Sequence, residues 1–428
     1  MRRGAYRWVV VVLVTAIMFI NYIDRSAIGY AAGPLMQALR ITPVQWGLLT
    51  STFAIGYLIF NFVGGMLVDR LGPRAIGTVS GVLWAVSSLL IGMSTGLGML
   101  VLARAILGIA EGPGFPTAAR AVGQWLPQHE QGRAISLYTG LGVPFSLLVG
   151  APLVTSLIAF QGWRFAFYAL AASTLVWVVV WVALFRDSPS QHPRVGAEEL
   201  RYIESGRVAA RGDDKSVPWH VVFTNKALVA MFFAYFGWGY AYWTFVYWLP
   251  AHLFSAYHID ILHVGMLSSL PWLAATITTL AGGWFVDRLY RRTGSKYRSR
   301  SLVLGVCMAL TALCMLPVIF EPTLFNAILS VTLGMGIGWF AGACFWLIPI
   351  DALPERPALA TGFITTGTAL AGITSPVITG WLIEQTGSFH TTFMVMMALL
   401  FISALLVLCF VRFDETPGAR GVANPMMR

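Results

Sequence analysis

Four ionisable side chains stand inside long apolar stretches of this sequence. Asp24 and Arg25 interrupt the first stretch within the segment NYIDR, while Arg104 and Glu111 lie seven residues apart in a later one. Seven residues make two helical turns, so Arg104 and Glu111 share one face of a helix. Charged side chains in membrane helices usually face a cavity and pair with one another, because each costs about 2.5–3.5 kcal/mol on insertion scales. The four residues therefore predict a polar site inside a membrane protein.

The acids and bases suit complementary tasks. An arginine can bind a carboxylate, and a carboxylic acid in a low-dielectric site tends to bind a proton. An anion importer driven by the proton gradient needs both groups, since bound protons offset the substrate's charge against a membrane potential that is negative inside. The structural alternative is an ion pair of Asp24 with Arg104 and a packing contact of Glu111, although a buried ion pair is weak evidence for stability.

The helical rise predicts the relative depth of these groups. At about 1.5 Å per residue, Asp24, Arg25 and Arg104 are expected in the outer half of a cavity, with Glu111 beneath them. That order predicts a proton relay from Asp24 to Glu111 as the protein turns inward.

The elements that carry these residues are predicted to be membrane-spanning helices. Of 428 residues, 57% are hydrophobic and 11% are charged, against roughly 25% charged in a soluble domain. Twelve windows are long enough to cross a bilayer, six on each side of a polar gap. The predicted fold class is an all-α membrane protein with twelve transmembrane helices in two pseudo-symmetric six-helix bundles.

The formal net charge of +10 reflects topology and not a nucleic-acid partner. Most Lys and Arg residues fall in loops on one side of the predicted spans, which by the positive-inside rule makes both termini cytoplasmic. We expect a multi-pass protein of the cell (inner) membrane. The sequence has neither a GxxxxGK[ST] phosphate loop nor a metal-ligand motif or nucleophile–base pair in the spans, which argues against an enzyme and against direct ATP hydrolysis.

The polar gap defines the predicted domains. They are an N-terminal bundle at 1–186, a cytoplasmic linker at 187–224, a C-terminal bundle at 225–413 and a cytoplasmic tail at 414–428. The linker is too polar for a membrane and too short for a folded domain. We expect a tether, with a surface helix at 196–209 whose apolar side chains lie against lipid headgroups.

A repeated motif relates the two halves. GGMLVDRLGPR (64–74) and GGWFVDRLYRR (282–292) both read Gly-Gly-x-x-Val-Asp-Arg-Leu, which indicates a duplicated bundle. The motif predicts a latch that closes the cytoplasmic side in one state, while its basic residues also anchor the helices at the membrane surface. The predicted latch residues are Asp69, Arg70, Arg74, Asp287 and Arg288.

The first copy of this motif resembles the signature GxLxDRxGxR of the major facilitator superfamily. Further segments resemble its anion:cation symporter family over essentially the whole chain: NYIDR, the run RAILGIAEGPGFPTAARAVGQWLPQHEQGRA (104–134), SPSQHPRVGAEELRYI, and FWLIPIDALP followed by TGF and LAGITSP. That family includes bacterial permeases for galactonate, glucarate, hexuronates, tartrate and phthalate, and the animal sialin and vesicular glutamate transporters.

The resemblance implies roles for individual residues and for partners. Asp24 and Glu111 are implied to be the proton-coupling acids, and Arg25 and Arg104 to shape the site. Tyr22 and Tyr57 are implied to contact substrate. The resemblance also implies that a monomer uses the proton gradient without a cofactor, and that its partners are protons, a small organic anion and the lipid bilayer.

Departures from the sugar-acid members narrow the expected substrate. Those members carry Gln in the fifth span and Asn in the eleventh, where this chain has Val143, Thr365 and Ala369. Fewer amide groups leave fewer partners for a polyhydroxylated substrate. Thr365 remains a candidate substrate contact.

Aromatic residues supply the remaining substrate-binding candidates. Seven of the eleven residues in 238–248 (WGYAYWTFVYW) are aromatic. Tyr240 and Trp243 lie three apart on one helix face and could flank a substrate, as could Trp346, although ordinary packing is the alternative for each. Together with the missing amides, this predicts a smaller or more apolar carboxylate, an aromatic one included, over an aldonate.

Three interpretations of the function stay open. The first is a proton-coupled importer of an organic carboxylate by alternating access. The second is a carboxylate or drug exporter or exchanger of the same fold, and the third is a membrane sensor that binds ligand without transporting it.

Asp351, at the end of a span, is expected to contact lipid headgroups or adjacent basic loops.

Overall fold

The structure is a computed structural model that describes residues 6–205 and 218–413. Its longer elements in these ranges are α-helices, joined by π-helical turns at Ser136–Leu141 and Tyr297–Ser301 and a 3-10 turn at Pro189–Gln191. The helices are α1 (Tyr6–Tyr30), α2 (Ala32–Leu39), α3 (Pro43–Met93), α4 (Leu97–Glu111), α5 (Gly114–Trp125), α6 (Gln128–Ile135), α7 (Gly142–Leu184), α8 (Ala197–Ser205), α9 (Val221–Thr224), α10 (Lys226–Ala256), α11 (Ile261–Thr293), α12 (Leu302–Leu313), α13 (Leu316–Phe320), α14 (Leu324–Phe340), α15 (Gly342–Ala352), α16 (Pro357–Thr386) and α17 (His390–Phe410).

The helices are long enough for a multi-pass membrane protein. Ten segments of the described ranges are long and apolar enough to cross a membrane. One of them, Arg133–Leu184, breaks at Gly162, and the 31-residue helix α10 lies outside these ten segments. With α10 and both parts of the broken segment, the described residues hold twelve spans, and the all-α twelve-helix prediction is confirmed.

A glycine produces the break within α3. Gly72 has φ +83°, a left-handed conformation that glycine adopts without a steric penalty. The Asp187 carboxylate lies against it, so that a Cβ at position 72 would come within 2.9 Å of the Asp187 side chain. The backbone N–H of Arg74 donates to Asp187 Oδ1 at 2.8 Å. This turn contains the end of the first repeated motif.

The chain divides into two compact units. The first unit comprises the described residues 6–205 with 243–273 and 372–389, and the second comprises 218–242, 274–371 and 390–413. Segments of α10, α11 and α16 thus belong to the first unit, whereas the predicted domain boundaries follow the polar gap and remain a prediction.

Small residues bring the helices of the first unit close together. A Cβ on Gly108 of α4 would lie 2.2 Å from the Phe53 carbonyl oxygen of α3, and one on Gly29 of α1 would lie 2.3 Å from the Val246 carbonyl oxygen of α10. These positions require glycine, because no larger side chain fits between the two backbones. The close approaches hold the charged faces of α1 and α4 at fixed positions.

The linker is more than a tether. Arg7 of α1 donates to Glu130 at 2.7 Å and to Glu199 of α8 at 3.3 Å, and all three side chains are buried. Ile203 of α8 is also fully buried within the first unit. The expectation that the apolar face of this helix lies against lipid headgroups is therefore wrong for Ile203. The remainder of the predicted helix, 206–209, lies outside the described residues.

Candidate functional site

Asp24 is buried on α1 and accepts hydrogen bonds from the second part of α3. Trp84 Nε1 donates to Asp24 Oδ2 at 2.7 Å, and the Ser88 hydroxyl reaches both carboxylate oxygens at 3.2 and 3.3 Å. Asp24 is 1% exposed and interacts electrostatically with Arg104 and Arg25. Neutral donors therefore hold this carboxylate beside two guanidinium groups.

Arg25 and Glu111 form the ion pair of the site. Arg25 Nε and Nη2 donate to Glu111 Oε2 at 3.1 and 2.9 Å, and Nη2 also donates to Asn21 Oδ1 at 3.1 Å. The alternative prediction of an Asp24–Arg104 ion pair is wrong, because Asp24 is bound by Trp84 and Ser88 instead. The Arg25 side chain thus reaches Glu111 directly, while the predicted order of the two residues in depth stays a prediction.

Arg104 occupies the centre of the site. It is fully buried, and its Nη2 donates to the Tyr247 hydroxyl at 3.3 Å. Its guanidinium carbon lies 4.6 Å from the centre of the Phe53 ring, where the ring face attracts a cation. Within the described ranges, Arg104 Nε and Nη1 have no hydrogen-bond partner. A buried guanidinium with unused donors is suited to binding an anion.

Aromatic rings surround the two guanidinium groups. Arg25 lies over the rings of Tyr22 at 4.9 Å and Tyr57 at 4.6 Å. Trp243 stacks on Tyr247 with their ring centres 5.4 Å apart. Three of the predicted substrate-binding aromatic residues thus lie next to, or one ring away from, the arginines.

The other substrate-binding candidates belong to the second unit. Tyr240 is 1% exposed and packs 6.5 Å from the Phe236 ring, whereas Trp346 is 51% exposed. The Thr365 hydroxyl donates to the Gly362 carbonyl of its own helix at 2.9 Å. Their roles as substrate contacts remain predictions.

The predicted latch residues take different environments. Asp69 and Arg120 form an exposed ion pair at 3.7 Å, and Arg74 donates from Nη2 to the Val182 carbonyl. In the second unit, Asp287 is exposed and Arg288 lies over the Trp284 ring at 5.2 Å. Arg70 is exposed. Arg120 was absent from the predicted set, although it lies in the segment 104–134 that carries the resemblance.

Sequence reasoning also missed the direct partners of the buried charges. Trp84, Ser88 and Phe53 lie in apolar helical segments where nothing distinguishes them from core residues. Tyr247 belongs to the aromatic run 238–248, but its hydroxyl contact depends on the approach of α10 to α4. Only the packing of the helices reveals these four residues.

Comparisons with known proteins add an independent line of support. The family model described as Major Facilitator Superfamily matches residues 14–358 and 300–425. The chain is 35% identical to the probable sulfoacetate transporter SauU of Cupriavidus necator, over 90% of each chain. It is 27% identical to the hexuronate transporter of Bacillus subtilis, over 95% of each.

A solved structure has the same fold. The chain superimposes on a bacterial homologue of the human lysosomal transporter Spinster with a TM-score of 0.78 and 16% identity, covering 96% of this chain and 100% of the other.

Proposed function

This chain belongs to the major facilitator superfamily, and from that premise we propose that it is a proton-coupled symporter that imports a small organic carboxylate by alternating access. The resemblance to the anion:cation symporter family is confirmed by its anion-transporting relatives, and the chain is a transporter and not an enzyme. Proton coupling, import and the substrate are the proposed parts.

The single observation that carries the proposal is the state of Arg104. Its side chain is fully buried, yet two of its three guanidinium nitrogens have no partner in the described part of the chain. Leaving buried donors unsatisfied is unfavourable, by about 1–3 kcal/mol for each group. An anionic substrate that accepts from these donors would remove that penalty, which supports Arg104 as the substrate-binding residue.

The charges of the cluster support proton coupling. Asp24 and Glu111 can each carry one negative charge, and Arg25 and Arg104 carry two positive charges, so the ionised cluster is neutral. Each proton that binds to an acid adds one positive charge and strengthens the attraction for an anion. Protonated Glu111 would also release Arg25 from its ion pair, and a dianionic substrate would then meet two available guanidinium groups.

A departure from the sugar-acid members favours a small substrate. Val143, at the position aligned with a Gln of the sugar-acid members, is a buried apolar side chain of the first unit. A site with fewer amides loses hydrogen bonds to sugar hydroxyls, whereas its arginines still bind acidic groups. The similarity to a probable sulfoacetate transporter supports a short acid with up to two anionic groups as the substrate class.

The location of the protein, its monomeric state and the roles of the other site residues are also part of the proposal. We place the protein in the inner membrane with both termini cytoplasmic, on the asymmetry of its basic loops. Tyr22, Tyr57 and Trp243 would line the substrate site, and Asp69 with Arg120 would take part in closing the cytoplasmic side. A monomer needs no further subunit, because the four charged residues lie in one compact unit.

Uptake into proteoliposomes tests the proposal. With an imposed pH gradient, acid outside, the purified protein should accumulate radiolabelled sulfoacetate or a related small carboxylate. A protonophore should abolish accumulation and leave exchange of internal for external substrate intact. Accumulation that persists with the protonophore would overturn proton coupling, and equal uptake of a hexuronate would overturn the preference for a small acid.

A further inference from the structure

A cavity lies inside the first unit, beside the ionic cluster. It has a volume of about 40 Å³ and is lined by residues of α1, α3, α4, α5 and α7. Polar residues at its wall include Asn21, Ser80, Glu111 and Thr117, and the rest of the lining is mostly apolar. Arg104 does not line this cavity, so the cavity is separate from the guanidinium that we assign to the substrate.

Two buried polar atoms on the cavity wall need hydrogen bonds. Glu111 gives its Oε2 to Arg25, while its Oε1 has no partner in the described part of the chain. The Thr117 hydroxyl, on the helix that follows, is likewise without a partner among these residues. Both side chains are more than nine-tenths buried. Buried polar atoms of this kind are usually satisfied by protein or by ordered water.

The cavity is large enough for water. One water requires about 10–15 Å³ of such volume, so this cavity accommodates about three molecules. A buried water also needs two to four polar partners, and the carboxylate, hydroxyl and amide groups on the wall supply them. The volume of the cavity and the polar groups on its wall therefore both indicate bound water.

The long axis of the cavity follows the helices. On α1 its wall runs from Asn21 to Val14, which is about 10 Å at the helical rise. On α3 the wall runs from Trp84, the residue that donates to Asp24, back to Gly77. At Gly77 the Trp181 ring borders the cavity, and a Cβ there would lie 2.9 Å from Trp181 Nε1. The cavity thus leads from Glu111 toward the end of the unit at which α1 begins.

We propose that ordered waters occupy this cavity and carry protons between Glu111 and the Trp181 end, along a path that the substrate does not use. When a proton leaves the site, protonated Glu111 transfers it to the adjacent water, and the resulting carboxylate pairs with Arg25. The proton then passes along the waters past Thr117 and is released to the surrounding water at the Trp181 end of the cavity. This inference rests on the proposed function for its proton flux, whereas the presence of water does not depend on transport.

Hydroxyl-radical labelling of the purified protein tests for the water. X-ray radiolysis of bound water oxidises nearby side chains, and Met18 lines the cavity although it is only 2% exposed. Met335 and Met396, at 0% and 1% exposed, are matched buried controls that do not line it. Met18 should be oxidised about fivefold or more faster than the controls, since a water that satisfies Glu111 lies within reach of it. Oxidation of Met18 at the controls' rate would overturn the proposal.

Variants of the cavity wall extend this test. Ala118→Leu should fill the cavity and reduce Met18 oxidation to the rate of the controls. Thr117→Val keeps the side-chain volume but removes the hydroxyl, and it should slow proton-driven uptake by about tenfold while exchange changes less than twofold. Thr117→Ser should behave like the wild type, as should Thr174→Val, which removes a buried hydroxyl from α7 away from the cavity.

The outcomes separate the two proposals. Rapid oxidation of Met18 in a protein without proton-driven uptake would support the presence of water in the cavity. It would overturn both the proton path and the proposed function. Normal uptake in both Thr117→Val and Ala118→Leu, with Met18 oxidation suppressed, would overturn the proton path alone.

Discussion

The two units place their charged residues differently. In the first unit Asp24, Arg25, Arg104 and Glu111 lie buried inside two segments that are long and apolar enough to cross a membrane, Tyr6–Tyr30 and Leu97–Trp125. The corresponding ionic cluster of the second unit lies at helix ends, where Asp351 at the end of α15 pairs with Lys296 at 2.9 Å and with Arg300. The expectation that Asp351 contacts adjacent basic loops is confirmed by these pairs.

This difference indicates a division of labour between the repeats. Both carry the Gly-Gly-x-x-Val-Asp-Arg-Leu motif, so duplication alone would predict similar interiors. Charges inside a membrane helix are costly and are usually retained for function, whereas charges at helix ends cost little. We propose that the first unit performs the ion-coupled binding, and that the largely buried aromatic run 238–242 in the second unit contributes packing.

The largest expected effect comes from Arg104. Arg104→Gln should raise the KM for substrate by at least about 30-fold, because removing one side of a buried charge interaction costs about 2–5 kcal/mol. Arg104→Lys should not restore binding, since a single ammonium cannot reproduce the donors of a guanidinium. The measurement is the concentration dependence of exchange in proteoliposomes.

The matched control for Arg104 lies in the second unit. Arg300→Lys keeps the charge opposite Asp351, and it should leave the KM within about threefold of the wild type because exchange does not involve this pair directly. A larger change in KM for Arg300→Lys than for Arg104→Lys would reverse the proposed division between the units.

Neutralising the acid of an ion pair outside the buried cluster, Asp351 or Asp69, should have smaller and unequal effects on stability. Asp351→Asn leaves the mostly buried Arg300 without its counter-ion, and the free energy of unfolding should fall by about 3 kcal/mol or more. Asp69→Asn removes an exposed pair at 3.7 Å and should cost less than about 1 kcal/mol. Thermal unfolding in detergent measures both, and equal losses would show that burial does not distinguish the pairs.

The smallest expected effect concerns the linker, which packs on the first unit. His192 stacks on Tyr6 with 4.0 Å between ring centres, and its Nδ1 accepts from the Arg194 N–H. Burial, together with Arg186 and Arg194, lowers the pKa of His192 from its ordinary value of 6.5. The unfolded linker therefore binds a proton more readily than the folded one, and the stability of this contact is complete above pH 6.5 and decreases as the pH falls below it.

Hydrogen exchange of residues 189–205 measures this effect. Protection of the wild-type segment should decrease between pH 7.5 and pH 5.5, after correction for the intrinsic pH dependence of exchange. In His192→Phe, which keeps the ring and cannot titrate, the corrected protection should stay constant. A decrease of equal size in both proteins would exclude His192 as the titrating group.

The sequence was sufficient to predict the membrane spans and the charged residues inside them, because hydropathy reports burial in lipid directly and a charge in an apolar segment is conspicuous. It did not predict which of these charged residues form ion pairs, since Arg25 reaches Glu111 only through the mutual rotation of α1 and α4. Trp84 and Thr117 were missed because their roles depend on what lies opposite them. The linker was misjudged because its polar composition does not reveal that Glu199 meets Arg7 inside the first unit.

The most direct test of the central claim compares accumulation with exchange in Asp24→Asn and Glu111→Gln. If the buried acids of the first unit couple protons to substrate, each variant should lose accumulation driven by an imposed pH gradient. At least one of them should still exchange substrate, because a neutral amide keeps the shape of the site. Wild-type accumulation by both variants would contradict the account and leave the NYIDR segment with a packing role only.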